Sequence, residues 1–344
     1  MKNKQLTLII STVIVVLIII GIVAYFFLRP LPPTELTLST GREGGAYYAF
    51  GLMYQSALAK EGYTLAMQPG AGSIETLERL SRGDVEVGFV QGGTAEAGQV
   101  EGLSSLGSLF YEPIWLFYNQ ANDIEYLSDL EGLAVAVGEE GSGTRPVAVQ
   151  LLQDNNLTAE NTSILALSSQ EATDQLIAGE IDAAFFIMSP KAERVQALLR
   201  QSNIRLLSFR RHLAYSGRHP FLTQVVLGEG AIDLADNIPE EDKTLLATTA
   251  TLVVRDDIHP AHIRLLLKEA DTIHREPGLL ESFGQFPSEL LVELPMNEDA
   301  RRYLNEGAPW LERIFPFSLA VVLDRLIILL VSSLPLLFFT FRIF

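Results

Sequence analysis

The 344-residue chain has no cysteine. Thiolate nucleophiles, Cys-ligated metals and disulfides are excluded, and a cysteine-free chain is compatible with life outside the cytoplasm. Positive charge is also scarce: 25 Lys and Arg face 42 Asp and Glu, for a formal net charge of −17. Nucleic acid is excluded as a partner, because phosphate neutralisation needs clustered basic side chains. The first glycine-rich stretch, Gly41 to Gly51, has neither a G-K-[ST] nor a G-x-G-x-x-G spacing, so it is not a nucleotide loop. "GSGT" at 141–144 lacks the frame of a nucleophile elbow, since Glu140 stands where its first glycine belongs. With no acid–base or nucleophile constellation, the chain reads as a non-enzyme.

Apolar residues, by contrast, are plentiful: 48% of the chain is hydrophobic, ample for two ordinary domains. Leu6 to Leu28 is a run of 23 residues without a charge, and at ~1.5 Å per residue it is long enough for the ~30 Å hydrocarbon layer. No small-x-small cleavage site follows, so it reads as an uncleaved transmembrane anchor rather than a signal peptide. Lys2 and Lys4 precede it and Arg29 follows, which places residues 1–5 in the cytoplasm and the body outside. Leu319 to Phe341 reads as a second crossing, although Asp324 and Arg325 interrupt it and Pro335 would kink it. Between the two runs, residues 30–318 hold 20 basic and 41 acidic side chains. An anionic ligand would be repelled at long range and would need a local site rich in N–H groups or cations.

After a proline-rich linker at 29–35, the body alternates strands with helices. "ELTLST", "YTLAMQ" and "VEVGFVQ" read as strands, and Ala46 to Lys60 and "SIETLERLSRG" as helices, the latter with Ser73 as N-cap. This is the pattern of a parallel α/β layer. Two further strands, "SLGSLF" and "PIWLFYN", precede a restart of the pattern at "AVAVG", which makes two α/β units rather than one long sheet. "ATTATLVVR" and a helix from Pro260 to Ile273 rejoin the first unit. A chain that enters a second lobe and returns gives a hinged protein with a cleft between lobes.

Three glycine loops stand before helices: "GREGGAYY", "GAGS" and "GSGT". Glycine lets the backbone approach a ligand, and a strand-loop-helix junction aims the free N–H groups of the first turn outward. Such loops at the carboxyl ends of strands suit a small carboxylate. His259 and His262 lie beside Asp256 and Asp257, but Pro260 marks them as the start of a helix, and neither a metal nor a cofactor is expected.

In this order, "STGREGGAYYAFG", "GAGSIETLERLSRGDVEVGFVQGG", "AVGEEGSGTR", "AGEIDAAFFIMSP", "LSFRRHLAYSGRHPFL" and "TLVVRDDIHPAHIRLLL" resemble the TAXI family of extracytoplasmic solute receptors, substrate-binding subunits associated with TRAP transporters. The resemblance spans about Leu36 to Phe317. It implies a two-lobed type II periplasmic-binding-protein fold, with residues 36–128 and 210–317 in the first lobe and 129–209 in the second. It also implies a ligand such as glutamate, glutamine or 2-oxoglutarate, and TRAP-type membrane subunits as partners. Carried over by position, the ligand residues are Gly44, Gly45, Ala46, Tyr47, Tyr48, Gly72, Ser73 and Gln91 from the first lobe, with Ser142, Gly143 and Thr144 from the second. Tyr47 or Tyr48 is expected to cover the ligand as an aromatic wall, with only one of the two lining the cleft. Two features depart from the family pattern. Arg42 and Glu43 stand inside the first loop, where a carboxylate repels an acidic ligand or reads an amine, and the body is tethered to the lipid bilayer. Tethering equally suits a ligand sensor or a membrane scaffold that keeps the fold.

Overall fold

The computed structural model describes residues 32–95 and 100–324, with a few further positions in the terminal apolar segments. Nearly all of 6–28 and the greater part of 319–341, both read as membrane crossings, lie outside the described residues; among those described, no helix is long and apolar enough to cross a membrane.

Strands β1 (Glu35–Ser39), β2 (Thr64–Gln68) and β3 (Val87–Gln91) are parallel in the order β2-β1-β3. Helices α1 (Ala46–Lys60) and α2 (Ser73–Arg82) make the crossovers. On α1, Tyr47, Gly51, Tyr54 and Leu58 are buried, a spacing that puts all four on one helical face. β3 is buried along its whole length, which is why its sequence shows no polar alternation before Gln91. The second unit repeats the device with β5 (Ala134–Ala136), β6 (Ser163–Leu165) and β7 (Ala183–Ile187), crossed by α3 (Thr144–Gln153) and α4 (Ser169–Ala178).

The two units are not separate sheets. β4 (Leu103–Asn119) and β10 (Lys243–Arg255) run antiparallel through both, so the ladder is continuous in the order β2-β1-β3-β10-β4-β7-β5-β6. β4 is one strand of 17 residues where the sequence suggested two. Pro113 is the reason for that expectation, since proline removes a ladder donor. It is tolerated because the outer neighbour of β4 changes there: Ser288 and Met296 bridge Ser108 and Ser105 on one side of it, and β7 takes over from Ile114.

The first lobe is packed around Leu36, Tyr54, Phe89, Leu252 and Leu266, and the second around Ile114, Val135, Leu151 and Phe185. Residues 210–227, expected with the first lobe, pack with the second. Tyr215 of α6 (His212–Arg218) and Leu222 share its core, and β9 (Thr223–Leu227) pairs with the Lys243 end of β10. β8 (Ile204–Leu206), after α5 (Glu193–Leu199), pairs with the end of β4. α7 (Pro260–His274) and α8 (Glu298–Glu306) complete the first lobe.

Candidate functional site

α1, α2 and α3 begin at the carboxyl ends of β1, β2 and β5, where the lobes meet. Each has a glycine at its N-cap, Gly45, Gly72 and Gly143, and none has a side-chain cap. The other helices of nine or more residues are capped from a side chain: Ser168 accepts from Glu171 N on α4, His259 from Ala261 N on α7, and Asn297 from Asp299 N and Ala300 N on α8. Among the described helices of nine or more residues, the three without a side-chain cap are the three that start at the cleft, where the positive ends of their dipoles converge. Ser73, expected as the cap of α2, is instead its first residue, and its Oγ accepts from Gln91 N at 2.9 Å.

Between the lobes lies a cleft of about 200 Å³. Gly45, Ala46, Tyr47, Gly72, Ser73, Gln91, Ser142, Gly143 and Thr144 line it, so nine of the residues singled out from the sequence meet in one place. Gly44 and Tyr48 lie outside the lining. Successive helical residues are turned by ~100°, so Tyr47 and Tyr48 face different ways. Of the two, Tyr47 is the one that lines the cleft, and its ring also stacks on Phe89 at 5.4 Å in the first core. The opposite wall is apolar, formed by Leu167, Phe185, Phe186, Ile187 and Met188.

The lobes touch across this cleft. Arg42 Nη2 meets Glu139 Oε2 at 2.6 Å, and Gln91 Nε2 donates to Gly143 O at 2.8 Å. A Cβ on Gly143 would lie 2.8 Å from Gln91 Oε1, so the approach itself demands glycine. Gly72 has φ +151 and sits against Gly141 O and Ser142 Cα of the other lobe. Arg42 thus serves as a rim latch, and Glu43 is solvent-exposed and not part of the lining.

Several lining residues were missed in the sequence, among them the apolar wall and one buried acid. Glu112 lies on β4 next to Pro113, 4% exposed, and Tyr47 donates to its Oε2 at 2.7 Å. Burial pushes the carboxyl up to about 8, and the hydrogen bond from Tyr47 acts in the opposite direction. Burial and the neighbouring Glu112 likewise hold the Tyr47 hydroxyl well above the ordinary tyrosine value. At neutral pH the cleft floor is therefore mostly uncharged. A lone carboxylate between apolar strand residues, "LFYEPIW", was the available signal.

Away from the cleft, the histidine pair has structural work. His259 caps α7, and His262 Nε2 donates to Pro33 O at 2.8 Å.

A model of the NMT1-like family matches residues 38–306. The chain belongs to the NMT1-like family. Among solved structures, the periplasmic aliphatic sulphonate binding protein SsuA from Escherichia coli is 16% identical with a TM-score of 0.47, the match covering 70% of this chain and 68% of that one. An ancestral arginine-binding protein bound to arginine is 17% identical with a TM-score of 0.43, over 71% and 93% of the two chains. A histidine kinase sensor domain with similarity to periplasmic binding proteins is 14% identical with a TM-score of 0.47, over 70% and 90%.

Proposed function

We propose that this member of the NMT1-like family is an extracytoplasmic solute-binding protein that closes its two lobes on a small carboxylate, an amino acid or dicarboxylate such as glutamate, glutamine or 2-oxoglutarate. The observation that carries the reading is the convergence of three glycine-started, side-chain-uncapped helices from both lobes on one cleft. Their N–H groups supply the anion site that a strongly acidic body needs. A neutral Glu112 adds no repulsion. Because Gly45 and Gly72 belong to one lobe and Gly143 to the other, the ligand completes contacts only in the closed state and shifts the population toward it.

The finer assignment, a TAXI-type receptor tethered in the cytoplasmic membrane that hands its ligand to TRAP-type subunits, is supported by the order of the sequence motifs and by the apolar run Leu6 to Leu28.

A thermal-shift screen of the full chain in detergent against amino acids, dicarboxylates and 2-oxo acids tests the binding function. A ligand at a hundredfold its Kd adds ~2.7 kcal/mol, a clear shift. A well-folded protein that no member of the panel stabilises would refute it.

A further inference from the structure

Residues 317–324 form a helix that docks on the first lobe. Phe317, Ala320 and Val321 are buried, and the Phe317 ring packs on Tyr63 at 6.1 Å. Phe317 N donates to Glu61 Oε2 at 3.2 Å, and Arg264 of α7 reaches Glu312 at 3.0 Å and Asp324 at 3.7 Å. The start of the C-terminal apolar segment is therefore fixed to the body.

The other face of this helix is apolar as well. Leu319, Val322 and Leu326, spaced three and four apart, are each 44% exposed, and Trp310 and Ile314 just before them are 60% and 67% exposed. With only Ser318 and Asp324 polar among its residues 317–324, the helix has little surface suited to water. A contiguous apolar strip of this kind on a soluble domain marks an interaction surface. Its chemistry favours lipid over protein. After Asp324 and Arg325 the sequence continues without a polar residue through "LIILLV", and the water-side end carries a tryptophan in a groove with Tyr303, Arg302 and Arg313 as well as Asp299 and Glu306. Aromatic and arginine side chains belong at the headgroup level, with aliphatic ones deeper.

We propose that the strip from Trp310 to Leu326 is a bilayer seat on which the first lobe rests, with Trp310, Ile314 and Leu319 inserted at the lipid interface. This rests on the reading of the chain as membrane-tethered. His262, also on α7, holds Pro33, so α7 fixes the described chain at both ends of the body.

The chain has two tryptophans, and Trp115 is fully buried, so lipid-borne quenching reads Trp310. Full-length protein is reconstituted in phosphatidylcholine vesicles, with bromines on the acyl chains near the carbonyl in one set and none in the other. Emission is expected to fall by roughly half in the brominated set, as one of two tryptophans meets the interface, and Trp310→Phe abolishes the fall. Because the chain lacks cysteine, Ile314→Cys labelled with an environment-sensitive dye gives a second readout, with Leu234→Cys, 88% exposed between β9 and β10, as the water-exposed control. A blue shift at 314 only is expected. Quenching of Trp310 by aqueous iodide but not by bromolipid, with the protein still resisting alkaline carbonate extraction, would overturn the seat and leave the tether standing. Shielding of Trp310 from both quenchers would mean a protein cover and would also overturn it. Release by carbonate would overturn the tether and the seat together.

Discussion

Replacing Glu112 by glutamine isolates the buried carboxyl of the cleft. Its folded-state pKa of about 8 lies above the ordinary value of 4.5, so between those values the folded protein holds a proton that the unfolded chain has released. Stability contributed by the protonated group is fully present below 4.5 and is lost as pH rises through 8. The slope is about 1.4 kcal/mol per pH unit, or roughly 5 kcal/mol over the whole window, a large share of the ~5–15 kcal/mol that holds a domain folded. Glutamine keeps an oxygen to accept from Tyr47 and cannot ionise. Urea unfolding of the full chain in detergent, followed by the emission of buried Trp115, gives the comparison. The gap between the Glu112→Gln variant and wild type should move in favour of the substitution by roughly 4 kcal/mol from pH 5 to pH 8, then flatten. A gap constant across that range would refute the buried-acid account of Glu112.

His274 sets the opposite limb. Burial among Phe50, Tyr54 and Phe110 lowers its pKa to about 3, so stability present above 6.5 is lost as pH falls toward that value, and His274→Phe should remove this acid limb from the same urea curves. Arg42→Ala breaks an ion pair with one well-exposed partner; it should cost under ~1 kcal/mol of stability yet enlarge the radius of gyration in small-angle scattering by releasing the latch. Gly143→Ala places a methyl against Gln91 in the closed lobes and should weaken ligand binding by about tenfold or more in calorimetry, an energy of ~1.4 kcal/mol.

The periodic parts of the chain were legible. α1 was read with both its ends, α7 to within a residue, and the glycine loops, with Gln91 at the end of β3, pointed to nine of the residues that meet at the cleft. What escaped depends on contacts remote in sequence. Pro113 looked like a break because the change of neighbours that accommodates it is a tertiary fact. Glu112 drew no attention because its role needs Tyr47, 65 residues earlier, and a desolvated position that only packing creates. The body also runs further than Phe317, since Ala320 and Val321 are buried in it; residues chosen for apolarity alone could not be divided between a core and a membrane.

The paired crossing strands determine what kind of machine this can be. Lobes joined by a slack linker would sample many relative poses, whereas lobes sharing a hydrogen-bonded ladder cannot slide without breaking its register. Any opening must be absorbed as twist and bend of β4 and β10, where shifts in their pairing already interrupt the ladder at Ala250/Thr251 and Leu252/Val253. Twist and bend of the pair are then the ways the lobes can part, and sliding along the sheet is not.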